Sequence, residues 1–184
     1  QHLEILLSKL KNKYKIDAEL SEPIIPFRET IKSKVEVRGK YKKQSGGHGQ
    51  FGDVLMSFEP LGDLTKSYEF EEKIFGGSVP KQYFPAVEKG IQECVLNGVL
   101  AGYPVVGLKA TLLDGSYHPV DSSEMAFKMA TSMAFKDGLT RARPTILEPV
   151  VHAEVLAPEK YMGDIMGDIN KRRGRILKMD PEGK

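Results

Sequence analysis

Between Lys42 and Gly52 the chain reads Lys-Lys-Gln-Ser-Gly-Gly-His-Gly-Gln-Phe-Gly, a combination suited to touching a polyanion. Four glycines between Gly46 and Gly52 permit φ > 0 and let the backbone approach a partner closely. Ser45 and Gln50 can donate to and accept from phosphate, ribose hydroxyl or base edge, and His48 sits between Gly47 and Gly49 as an exposed imidazole. Lys32, Lys34, Arg38, Lys40 and Lys42 precede this tip on one parity, which in a strand is one face. Only Glu36 interrupts them, Lys43 extends the basic run, and Ile31, Val35, Val37 and Tyr41 take the other face. A glycine tip on a basic ribbon can meet a phosphate backbone. The plainer alternative is a solvated strand face that deters edge pairing, with a turn whose polar side chains satisfy their own backbone.

Two further places carry candidate groups. Ser116, Tyr117 and His118 lie in a loop expected over Asp114–Pro119. Lys171, Arg172, Arg173 and Arg175 gather at a helix C-terminus, where cations also favour the helix dipole. One histidine in each of two loops invites a metal or acid–base reading, but no carboxylate–His spacing or Cys cluster supports one. Neither a metal site nor a catalytic residue is expected. No phosphate-binding Gly-x-x-x-x-Gly-Lys-Ser/Thr occurs. Asp121-Ser122-Ser123-Glu124 reads as a helix start, with Asp121 and Glu124 spaced like a capping box.

The elements that must hold these groups come from a chain of 184 residues, 40% hydrophobic, which can build a core. With 27 Lys and Arg against 25 Asp and Glu and a net charge of +2, polyanion binding has to come from local charge segregation. The single cysteine, Cys94, excludes an internal disulfide and fits a reducing, cytoplasmic setting. No apolar run reaches the ~20 residues of a membrane span. The start is not a signal peptide; it lacks Met, which suggests a piece of something longer, and a monomer is expected.

Periodicity predicts a helix over Leu3–Tyr14 and a short strand over Ile16–Leu20. Ser21–Phe27, with Pro23 and Pro26, is a linker. A long hairpin runs through Thr30–Lys43 and Phe51–Phe58, and a strand follows at Tyr68–Ile74. A helix opens at Pro80 and stops at Gly98, with Phe84, Val87, Ile91, Cys94 and Val95 as its stripe. A strand at Pro104–Leu113 precedes a helix over Ser122–Phe135 that buries Met125, Met129 and Met133 together with Ala126, Ala130 and Ala134. Val150–Leu156 and Arg175–Met179 read as strands around a helix from Pro158 to Arg173 with Gly174 as its left-handed cap. The middle is thus α+β, with two helices on one face of a sheet. Both ends look like partial domains and are expected to bury their apolar faces.

Several segments together resemble bacterial translation elongation factor G. They are His2–Ile5, Arg28–Ile31, Lys43–Gln50 (Lys-Gln-Ser-Gly-Gly-His-Gly-Gln), Leu100–Val106 (Leu-Ala-Gly-Tyr-Pro-Val-Val), Gly115–Glu124 (Gly-Ser-Tyr-His-Pro-Val-Asp-Ser-Ser-Glu), Leu147–Val150 and Gly167–Gly174. They occur in the family's order across nearly the whole chain. The resemblance implies that residues 1–25 end the third domain, that residues 26–146 are the fourth domain with a ribosomal protein S5 domain 2-like fold, and that residues 147–184 are the first half of a ferredoxin-like fifth domain.

It further implies that Ser45–Gln50 and Ser116–Asp121 form two tip loops. These would enter the decoding region of the small ribosomal subunit beside the tRNA–mRNA duplex during translocation. The basic cluster at Lys171–Arg175 would lie near ribosomal RNA and protein. No cofactor is implied for this stretch; GTP and magnesium belong to an N-terminal GTPase domain outside it. The family's tip commonly reads Gly-Gly-Arg-Gly-Gln. Here His48 replaces that arginine, making the tip titratable near neutrality, and Asp53 stands where a non-acidic residue is expected. These departures suggest a divergent paralogue without naming its role; a paralogue acting in ribosome recycling or ribosomal protection is one alternative to a translocase. A stand-alone RNA-binding module is the remaining alternative.

Overall fold

The computed structural model describes residues 2–22, 24–44, 47 and 49–180, divided into two compact units, Gln1–Pro149 and Val150–Lys184. In the first unit, helix α1 (His2–Tyr14) is followed by strands β1 (Arg28–Ile31), β2 (Val35–Lys43), β3 (Gln50–Pro60) and β4 (Tyr68–Glu72), then helix α2 (Phe84–Cys94), strand β5 (Leu108–Ser116), helix α3 (Glu124–Arg141) and strand β6 (Pro144–Leu147). The main sheet has the order β2-β3-β5-β4, and β1 pairs with β6 in a separate two-stranded sheet. Within the main sheet only the β4–β5 pair is parallel. The register between β3 and β5 shifts at Leu55/Met56, leaving Leu113 as an extra residue in β5.

The core lies between the main sheet and the two helices. Val37, Val54, Met56, Phe58, Leu108, Ala110 and Leu112 face Val87, Ile91, Phe127, Ala130, Ala134, Phe135 and Leu139. Burying each large apolar side chain stabilises the fold by about 1.5–3 kcal/mol. Phe58 and Phe135 meet edge to face at 5.8 Å and 84°, a favoured aromatic geometry. This is the α+β architecture expected, with both helices on one face.

Several elements differ from their sequence expectations. The strand expected to run unbroken from Thr30 to Lys43 is two strands, because the Ala142 carbonyl accepts the N–H groups of Lys32 and Ser33, both at 3.1 Å. Lys32 therefore lies in a turn and is not part of the basic face. The strand expected from Pro104 starts at Leu108 instead and continues to Ser116. Val105 bridges to Glu29, and the buried Glu29 carboxylate gathers the N–H groups of Leu100, Ala101 and Tyr103 at 2.9, 2.7 and 3.1 Å.

The expectation that the Met stripe is core is also overturned. Met125, Met129 and Met133 are 57%, 39% and 47% exposed, while Ala126, Ala130 and Ala134 are fully buried. Gly39 and Gly52 explain the choice. A Cβ at Gly39 would collide with the Ala130 carbonyl and one at Gly52 with that of Ala126. At these two crossings the helix backbone lies so close to the sheet that only an alanine fits beneath it.

Ile16–Leu20 forms no strand; it finds no ladder partner among the described residues, and a lone strand is not stable. The expected strands at 150–156 and 175–179 are absent for the same reason. In the second unit a 3-10 turn (Glu159–Tyr161) leads into helix α4 (Met162–Lys171). Arg173, not Gly174, takes the left-handed conformation with φ 61°, and Gly174 N–H closes on the Ile169 carbonyl at 2.9 Å. No described residue of α1 or of 150–180 is buried.

Candidate nucleic-acid interface

β2 and β3 pair without interruption from Val35↔Phe58 to Lys43↔Gln50, so the glycine-rich connection emerges at one end of the main sheet. β5 runs antiparallel to β3, and its last residue, Ser116, stands opposite Asp53. The following loop, residues 117–123, emerges at that same end. Ser116 itself belongs to the strand and not to the loop. Ser45, Gly46 and His48 lie outside the described residues; Gly47, Gly49 and Gln50 of the first loop and Tyr117 and His118 of the second lie within them.

The two loops are joined by hydrogen bonds. Gly49 N–H donates to Asp121 Oδ1 at 2.9 Å, and Phe51 N–H donates to the Asp121 carbonyl at 2.8 Å. Ser122 Oγ donates to the Phe51 carbonyl at 2.9 Å and accepts from His118 N–H at 2.8 Å. His118 Nδ1 accepts from Asp121 N–H at 3.2 Å and lies 3.4 Å from Asp121 Oδ2. Asp121 and Ser122 are thus the staple between the loops. Neither part of this role follows from the capping-box expectation, and the helix N-cap is instead Ser123, which accepts from Ala126 N–H at 3.2 Å. The Ser122 proton is committed to a carbonyl, so Ser122, His118 and Asp121 do not form an activated nucleophile.

Charge along the ribbon is graded. Lys34 is neutralised at the far end of β2 by Glu36 and Glu59 at 4.0 and 3.6 Å. Arg38 donates through Nε and Nη2 to the two carboxylate oxygens of Asp53, at 2.8 and 2.7 Å. Asp53 also accepts from Ser116 Oγ at 2.5 Å, and its side chain is only 2% exposed. Burial alone pushes this carboxyl up. The bonds from Arg38 and Ser116, with the charges of Arg38 and Lys40, outweigh burial and hold it below the ordinary carboxylate range. Towards the loops, Lys40, Lys42 and Lys43 make no ion pair among the described residues. Lys40 Nζ lies 5.6 Å from the Phe51 ring centroid, and Tyr41 Oη donates to Gln50 Oε1 at 3.1 Å. The cations that make no close ion pair among the described residues therefore sit at the end that carries the loops.

In the second unit Lys171 ends α4, and Arg172 is tied to Asp168 at 2.8 Å; Arg173 and Arg175 are exposed beside them. No group of His, Cys, Asp and Glu among the described residues could hold a metal ion.

Fold and site together define an α+β module that presents two stapled loops and a basic strand end at one edge of its sheet. The sequence matches the family described as elongation factor G, domain IV, over residues 23–143, and elongation factor G C-terminus over residues 145–184. The chain belongs to the elongation factor G family, whose two matched parts are S5 domain 2-like and ferredoxin-like folds. A solved structure from Thermus thermophilus superposes with a TM-score of 0.88 at 49% identity, over 99% of this chain and 27% of the other. The chain thus spans about a quarter of that relative's length. No helix among the described residues is long and apolar enough to cross a membrane.

Proposed function

We propose that this chain is the ribosome-engaging part of a translational GTPase of the elongation factor G type. In this reading residues 1–25 end a third domain, 26–146 form the fourth, and 147–184 begin the fifth. The stapled loops enter the decoding region of the small subunit and follow the tRNA–mRNA duplex during translocation. GTP and magnesium act in a separate N-terminal domain, in the cytoplasm, and this portion contributes shape and charge rather than bond-breaking. The observation that carries the reading is the concentration of cations with no ion pair among the described residues, Lys40, Lys42 and Lys43, next to two loops fastened to each other by Asp121 and Ser122. Phosphate contacts of this kind position a protein on RNA without selecting sequence.

In the intact protein, replacing Lys40, Lys42 and Lys43 together by alanine is expected to leave ribosome-stimulated GTP hydrolysis near normal while slowing translocation at least about tenfold, equivalent to about 1.4 kcal/mol. An unchanged translocation rate would refute the reading. The second reading, a paralogue for ribosome recycling or protection, is favoured by Asp53, which removes Arg38 from the available cations. It predicts subunit splitting or relief of antibiotic inhibition in place of translocation in the same assays.

A further inference from the structure

The loop after β4 leaves the main sheet at the same end as the two stapled loops. β4 runs parallel to β5, with Glu72 opposite Leu112, and the chain continues alongside the last residues of β5. It is anchored on both sides: Ile74 packs on the core, and Val79 is 1% exposed and lies against Gly115. Tyr83, in the turn that follows, donates its hydroxyl to the Ser122 carbonyl at 3.3 Å and stacks on Phe127 at 4.5 Å. Between these anchors projects Phe75, 94% exposed. Gly76 and Gly77 follow it with φ of 71° and 73°, conformations that other residues adopt only with strain. The chain contains eight phenylalanines, and the other seven are buried or partly buried. Phe75 is therefore held out by two flanking anchors and a glycine turn, and is not a frayed end.

We infer that Phe75 is a third contact of this surface and stacks on an unpaired RNA base; this rests on the RNA-contacting reading above. A ring that anchors a protein partner sits within an apolar patch that excludes water around it. Of the neighbours of Phe75 along the chain, Glu72, Lys73, Gly76 and Gly77 are exposed and offer no apolar side chain, while Ile74 is packed against the core. Glycines on its C-terminal side leave room for a flat partner, and base–aromatic stacking is tolerant of sequence and supplements backbone electrostatics. The exposed Tyr117 of the second loop places another aromatic at the same end of the sheet.

The test measures binding of the fluorescently labelled chain to small ribosomal subunits carrying mRNA and tRNA. Loss of one stacked base lowers affinity by roughly 5- to 150-fold. Phe75→Ala and Phe75→Leu are both expected to weaken binding by at least about fivefold, and Phe75→Tyr to retain it. Because the side chain is almost wholly exposed, thermal unfolding of all three should match the parent. A photoreactive benzoylphenylalanine at position 75 should crosslink to RNA. Unchanged affinity for Phe75→Ala, full rescue by Phe75→Leu, or crosslinks only to ribosomal protein would overturn the inference while leaving the salt-sensitive contribution of Lys40, Lys42 and Lys43 intact. Failure of the parent chain to bind these subunits in a salt-dependent way would overturn both readings.

Discussion

Asp53 is the residue on which the ribbon's geometry depends most, and Asp53→Asn isolates its charge. The substitution keeps the shape but removes one of the two oxygens that Arg38 grips at 2.8 and 2.7 Å, and it places an amide N–H2 facing donors. A hydrogen bond to a charged group contributes about 1.5–3 kcal/mol. Arg38 is 52% exposed and can turn to water, and Ser116 can reverse its hydroxyl. The net loss is then set at about 2 kcal/mol, below the full value of the two bonds. For a cooperative unit of this size that is a fall of roughly 8 °C in Tm.

The sign with pH follows from the depressed carboxyl. Its stabilising effect is complete above the unfolded value of about 3.9 and is lost as pH falls through the lower folded value. Urea titrations of parent and variant should therefore differ by about 2 kcal/mol at pH 7 and converge as the pH is lowered below about 4. A difference under about 0.5 kcal/mol at pH 7, or one that stays constant down to about pH 3, would refute the reasoning, since surface substitutions alone give changes of that smaller size.

Two other outcomes are expected. Gly39→Ala should destabilise the first unit by at least about 3 kcal/mol, the upper end for overpacking, because its methyl would meet helix backbone that cannot rotate aside; a lowered urea midpoint at unchanged slope reads it. Met129→Gln should shift stability by no more than about 0.5 kcal/mol in the same titration, against the roughly 2–5 kcal/mol that truncating a core methionine costs.

Much of this architecture was legible because it rests on local signals. The alternation through β2, the glycines of the first loop and the turn-forming residues around His118 suffice to expect a hairpin and two loops. What was not legible depends on pairs distant in sequence. Met125 and Ala126 are equally plausible inward positions on a helix. Gly39 and Gly52, far earlier in the chain, decide between the two stripes by bringing the helix so close that only a small side chain fits. Asp53 stands out on a strand of apolar residues only as an odd acid. Its meaning appears when Arg38 and Ser116 are placed on either side of it. Lys32 satisfied the parity rule but was removed from the face by a carbonyl at Ala142. Phe75 followed a strand and preceded glycines, and only its exposure in the fold reveals that the described residues leave it uncovered.

The surplus residue Leu113 decides which side of the sheet receives a hydroxyl. Leu108, Ala110 and Leu112 point to the helices, and strict alternation would continue that assignment through residue 116. Skipping one position resets the count, so that Gly115 turns towards Val79 and the Ser116 hydroxyl emerges on the opposite side, in reach of Asp53. Were Leu113 paired in the ordinary way, Ser116 would enter the apolar layer and leave Arg38 and Asp53 without their third member. Removing Leu113 outright would instead keep Ser116 on its present side, because the residues beyond the irregularity already count as if it were missing.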